Sequence, residues 1–118
     1  MEIKESESLK IAREYLGKEV EIIIDRPLGS RHPKHNFIYE LNYGYLAGIK
    51  APDGEDLDAY YIGGNKPLKN ATGRCIAIIH RKNNDDDKLV ISKNDLTDEE
   101  IEGLVNFQEK YFNHKIIR

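Results

Sequence analysis

The densest chemistry in this sequence is the run Asp53-Gly54-Glu55-Asp56-Leu57-Asp58, which holds four carboxylates within six residues. Like charges packed so closely repel, and if folding gathers them in one cleft some must be protonated or neutralised by cations. Carboxylate oxygens with no Cys or His beside them select hard cations, magnesium or manganese before zinc. A solvated acidic turn is the plain alternative. A second acidic run, Asp85-Asp86-Asp87, is followed directly by Lys88. Metal ions neutralise a bound phosphate through shared oxygens, and a lysine can hold the remaining oxygens as a point charge. Here the plain alternative is a surface hairpin kept soluble by aspartates. Basic residues crowd between Arg26 and His35, with Arg31, His32 and Lys34 among them. Arg31 is the best phosphate ligand of that group, because a guanidinium binds phosphate oxygens bidentately. A flexible basic loop is the ordinary alternative, and neither histidine is assigned to a metal.

Several other chemistries are set aside. Neither acidic run has the glycine at position six and glutamate at position twelve that a calcium-binding EF-hand loop needs. Gly63-Gly64-Asn65-Lys66-Pro67 lacks the Lys followed by Ser or Thr of a phosphate-cradling loop, and reads as a turn. A net charge of -3 with 33% charged residues describes a solvated surface, so nucleic acid is a poor partner. Cys75 is the single cysteine, which leaves no internal disulfide and no cysteine pair for zinc or redox work. No apolar stretch is long enough to cross a bilayer, and Met1 to Ser8 is too acidic and polar for a signal peptide. The expected location is the reducing cytoplasm, away from membranes.

Around these residues, apolar spacing and turn signals mark out a series of short elements. The 118 residues form one domain, 1–118. Leu9, Ala12 and Leu16 predict a short helix over Ser8 to Leu16, ended by Gly17. Val20 to Ile24 is β-branched and stops at Arg26-Pro27, a strand running into a turn, and Leu28 to Asn36 is loop chemistry. Phe37 to Tyr45, Ala59 to Ile62, Arg74 to His80 and Lys88 to Ser92 read as further short stretches of strand, the pattern of a small curled sheet or barrel. Thr97 with Glu100 predicts a capping box that opens a helix running to Phe112. The expected fold is mainly β with a helix at each end.

Taken in order, Asn42-Tyr43-Gly44-Tyr45, the acidic run 53–58, Arg74-Cys75 and Asp85-Asp86-Asp87-Lys88-Leu89-Val90 resemble the soluble family I inorganic pyrophosphatases. The acidic run is close to that family's D-x-D-x-x-D, with Glu55 at the middle aspartate and Asp56 where proline is common. The resemblance spans roughly Val20 to Tyr111. It implies a five-stranded, OB-like barrel that hydrolyses pyrophosphate to two phosphates with several magnesium ions, manganese being an alternative, and a homo-oligomer. On the same resemblance Asp53, Glu55, Asp58, Asp85 and Asp86 are metal ligands, with Glu55 steering the attacking water and Asp58 bridging metals. Arg31, Tyr43, Lys88 and Tyr111 contact phosphate. The chain departs from the family in a contracted hairpin before Lys88, in the absence of an early Lys-x-Glu along Glu21 to Asp25, and in Phe112 where a late lysine is expected. Arg26 or Lys34 could supply the missing positive charge. The rival readings are hydrolysis of another phosphoanhydride such as a nucleotide, and a non-catalytic OB-like module that only binds metal and phosphate.

Overall fold

The computed structural model describes residues 7–50, 54–82 and 86–118. Helix α1 (Glu7–Arg13) leads into strands β1 (Glu19–Arg26), β2 (Asn42–Lys50), β3 (Asp56–Ile62), β4 (Asn70–Arg81) and β5 (Lys88–Ser92), then helix α2 (Asp98–Glu109) and a last strand, β6 (His114–Ile117). The strands lie in the order β1-β2-β3-β5-β4, and pairing of β1 with β4 closes them into a five-stranded barrel of OB-like type. All the barrel pairings are antiparallel except β3 with β5, which run parallel.

β4 is long enough to serve two partners in turn along its edge opposite β5. Its first half pairs with β1 from Arg74 back to Asn70, and its second half pairs with β6 from Ile78 to Arg81. β6 extends the sheet beyond the barrel, a strand that the sequence pattern does not predict. The first helix is shorter than its apolar spacing suggests. After Arg13 the chain passes through turns to Gly17, whose φ of 81° places it in the left-handed region that favours glycine. The Gly17 N–H then donates to the Cys75 carbonyl at 2.9 Å, which ties the turn to β4. The second helix starts as expected: Thr97 accepts from the Glu100 N–H at 3.1 Å, and the Glu100 carboxylate accepts from the Thr97 N–H at 3.0 Å.

Alternation along the strands sorts side chains onto two faces. Leu57, Ala59 and Tyr61 of β3 and Leu89 and Ile91 of β5 point into the barrel, where they meet Ile22, Leu46 and Ile78, with Leu9 and Ala12 of α1 in the same cluster. Tyr60 and Ile62 of β3 and Val90 of β5 face outward into a second cluster with Tyr39, Tyr43 and the α2 residues Ile101, Val105 and Phe107. Gly44 is where two strands come closest: a Cβ there would stand 1.8 Å from the Ile23 carbonyl oxygen. Asn42, two residues earlier, is buried, and its amide accepts from Leu28 and Leu68 N–H groups at 3.0 Å and donates to the Lys66 carbonyl at 2.9 Å. The Asn42-Tyr43-Gly44 segment is thus held by two structural residues on either side of a tyrosine. Among the described residues, no helix is long and apolar enough to cross a membrane.

Candidate functional site

Parallel pairing sets Ala59 beside Leu89, so the preceding residues, Asp58 and Lys88, stand next to each other on the outer face of the barrel. Lys88 donates to Asp58 Oδ2 at 2.8 Å and to Asp86 Oδ1 at 2.6 Å, and a single ammonium therefore joins the β3 carboxylate to one from the β4–β5 hairpin. The Tyr43 hydroxyl donates to Asp58 Oδ2 at 2.9 Å. Burial first, and then the Asp58 charge, hold that hydroxyl far above the ordinary tyrosine range, so Tyr43 remains a donor.

Arg81, the last residue of β4, continues the network on the other side. Its Nη1 donates to Asp86 Oδ2 at 3.1 Å, while Nε and Nη2 donate to the two oxygens of Glu109 at 3.0 and 2.8 Å. The Tyr60 hydroxyl donates to Glu109 at 2.6 Å and accepts from the Gln108 amide at 2.6 Å. The Phe112 ring backs the guanidinium at 3.7 Å. Burial alone would raise the Glu109 carboxyl, but the hydrogen bonds and charge of Arg81 outweigh it and hold the group below the ordinary carboxylate range. One continuous chain of polar contacts thus runs from α2 through Arg81, Asp86 and Lys88 to Asp58 and Tyr43.

Of these side chains Tyr43, Asp58, Arg81, Asp86, Lys88 and Gln108 form the floor of a cleft of about 280 Å³, with Tyr60 and Glu109 buried beneath it, near the lower bound of about 300 Å³ common for small-ligand pockets. Asp25 and Arg26 line it from the end of β1, where the register against β2 slips between Ile24 and Arg26. Burial raises the Asp25 carboxyl above its ordinary value, against the opposing charge of Arg26. His32, His35, Phe37 and Tyr39 line it from the loop between β1 and β2, and Tyr111 and Phe112 from the end of α2. His32 Nδ1 accepts backbone N–H groups of Lys34 and His35 at 3.0 and 3.1 Å, which fixes the neutral ring with its proton on Nε2. Desolvation, followed by the nearby His35, lowers the His32 pKa in keeping with that state.

The residues expected from sequence fall into three groups. Tyr43, Asp58, Asp86, Lys88 and Tyr111 all line the cleft. Arg31 and Glu55 do not. Arg31 is engaged inside its own loop, where Nη1 donates to the Asn36 side chain at 2.7 Å and to its carbonyl at 3.3 Å, and Asn36 itself has φ of 60°. Glu55 is exposed just before β3. Asp53 and Asp85 lie outside the described residues. Asp87, the third aspartate of the hairpin, is buried and structural: both its oxygens lie 3.0 Å from His80 Nδ1, and one accepts the Arg81 N–H at 3.0 Å. Sequence reasoning did not single out Arg81, Glu109, Tyr60 or Asp25. Of these only Asp25 carries a local signal, its place beside Arg26 where a strand meets a turn.

Among the described residues no group of three or more His, Cys, Asp or Glu is placed to hold a metal ion by itself. The oxygen-only donors present, Asp58 and Asp86, nevertheless fit magnesium. That ion commonly takes one or two carboxylates, keeps several waters and completes its shell with substrate phosphate. Charge balance points the same way. Arg26, Arg81 and Lys88 face Asp25, Asp58 and Asp86 among the described lining residues, which leaves little surplus positive charge for a diphosphate.

Neither a protein-family model nor a curated protein sequence matches this chain. Solved structures do. An inorganic pyrophosphatase from Ehrlichia chaffeensis superposes with a TM-score of 0.65 at 16% identity, covering 84% of each chain. One from Neisseria gonorrhoeae gives 0.59 at 19% identity over 80% of this chain and 74% of its own. One from Helicobacter pylori gives 0.60 at 15% identity over 84% and 81%. At these identities the likeness is one of fold. The class defined is an OB-like barrel domain with the architecture of the inorganic pyrophosphatases.

Proposed function

We propose that this protein hydrolyses a phosphoanhydride, inorganic pyrophosphate in the simplest case, with magnesium entering alongside the substrate. The observation that carries the reading is the meeting of Asp58 and Asp86 on the Lys88 ammonium at the floor of a cleft, in a fold superposable on inorganic pyrophosphatases. Asp58 and Asp86 are the described residues that would hold the metal, with Asp53, Glu55 and Asp85 as the remaining candidates from sequence. When bound, magnesium supplies neutralisation of phosphate charge and a more acidic water.

The chain's own residues do the rest. Lys88 and Arg81 are cations whose positions are set before substrate arrives, so little reorganisation is needed as phosphate binds between them. Substrate oxygens displace carboxylate contacts on these two groups, which would free Asp58 and Asp86 for the metal. Tyr43, held protonated, donates a hydrogen bond to Asp58 and keeps it oriented. Arg26 supplies the positive charge that the fold's usual early lysine would bring. Tyr111 lines the outer part of the same cleft. The same reading carries a cytoplasmic location and assembly of several copies as parts of the proposal.

The test is phosphate release from pyrophosphate across a magnesium titration. Magnesium-dependent release that falls at least about 100-fold in Asp58→Asn and in Lys88→Met is expected, since removing one charge-stabilising group typically costs two to three orders of magnitude. Release that is absent at every magnesium concentration, or unaffected by both substitutions, would end the reading.

A further inference from the structure

We infer that the mouth of the cleft is a second subsite, built for a flat ring carried on the phosphate chain, and that the ligand class is a nucleoside di- or triphosphate in preference to bare pyrophosphate. The inference rests on the proposal that the floor binds phosphate. It deepens that proposal by naming what is attached.

The cleft divides by chemistry. Its floor is charged and hydrogen-bonded, whereas its rim is made of rings. His35, Phe37 and Tyr111 lie with their planes parallel to within 18°, and their centroids are 5.9 to 6.3 Å apart. Tyr111 is 56% exposed and His35 is exposed, and both line the cleft, so aromatic surface is open to a ligand there. A diphosphate alone has no use for such a surface. A purine or pyrimidine does, because stacking on aromatic side chains tolerates any base.

Rim and floor are also joined by shared residues and by stacked rings. Tyr111 and Phe112 are consecutive: the first belongs to the rim and the second backs the Arg81 guanidinium. A second line of rings runs inward from His32 to Tyr39 and on to Tyr43 at the floor, with centroids 5.9 and 5.5 Å apart. His32, neutral through its two backbone contacts, keeps an Nε2–H donor on the lining of the cleft, a group suited to a base or sugar acceptor rather than to a second cation.

The experiment is equilibrium binding of ADP and of pyrophosphate, each with magnesium, to the wild type, His35→Ala and His35→Phe. His35 is exposed, so both variants should fold. ADP is expected to bind the wild type roughly ten-fold more tightly than pyrophosphate, the contribution of one stacked base. His35→Ala should remove most of that advantage, His35→Phe should restore it, and pyrophosphate affinity should be the same in all three. Equal affinities of the wild type for the two ligands would overturn the inference while leaving the phosphate floor intact. So would a pyrophosphate affinity that drops in both variants, which would make His35 a phosphate-binding cation. Binding of neither ligand would remove the floor reading and this inference with it.

Discussion

The inner and outer faces of β3 and β5 are built from the same few residues and obey opposite rules. Inside the barrel, Leu57, Ala59, Leu89 and Ile91 are fully buried and apolar, and their contribution is packing. Outside, Asp58, Tyr60 and Lys88 are tied into a network of charge-assisted hydrogen bonds that reaches α2. One alternation generates both, since the register that seats Ala59 beside Leu89 must also seat Asp58 beside Lys88. The core and the candidate site are therefore two consequences of one strand pairing, and a change on one face should be readable separately from a change on the other.

The largest effect on stability is expected under α2. The Arg81 and Glu109 side chains are only 6% and 0% exposed, so Glu109→Ala should leave a buried guanidinium short of its partner and lower unfolding free energy by about 3–5 kcal/mol in urea titration. The double variant Arg81→Met with Glu109→Leu should recover most of that loss while ligand binding does not return. Recovery of both would mean that Arg81 serves the fold alone. Next in size, Leu57→Ala empties part of the barrel and should cost about 3 kcal/mol by the same measurement, with phosphate release per folded molecule unchanged. Thr97→Ala removes the cap of α2 and should cost about 1 kcal/mol, again without touching affinity.

The smallest expected effect is one of pH. His32 has its pKa lowered in the folded protein from an ordinary 6.5. Its neutral form is the one the loop favours, so its contribution is complete above the ordinary value and is lost as pH falls through the folded one. NMR of the His32 ring should show the Nε2–H tautomer at neutral pH, and chemical shifts of Lys34 and His35 amides should move as the ring protonates. Amides that stay still through that titration would mean the two contacts to Nδ1 do not form in solution.

What could be read from sequence followed the range of the physics. The barrel strands β3 and β5 and the start of α2 are local matters, announced by β-branched runs and by a Thr97–Glu100 box. β6 is four residues long, and its strand character comes from the edge of β4 rather than from its own pattern. Asp58, Asp86 and Lys88 were nameable as charges, but their meeting depends on a parallel pairing between segments 30 residues apart. Arg81 and Glu109 are 28 residues apart and sit in runs that look like an ordinary strand end and helix end. Arg31 shows the converse: a guanidinium at a plausible spacing was claimed by Asn36, five residues away, because a local bond forms with little loss of chain entropy.

The shared use of β4 has an outcome for solubility. From Ile78 to Arg81 the outer rim of this strand is satisfied by β6, a short stretch that carries Lys115 and His114. Stripped of that stretch, the apolar Ile78-Ile79 segment would present unpaired backbone donors and acceptors to other chains, the kind of template on which strands add one to another. The last strand works as a guard against self-templated aggregation, and shortened versions of the protein should be recognised by loss from the supernatant before any loss of barrel structure.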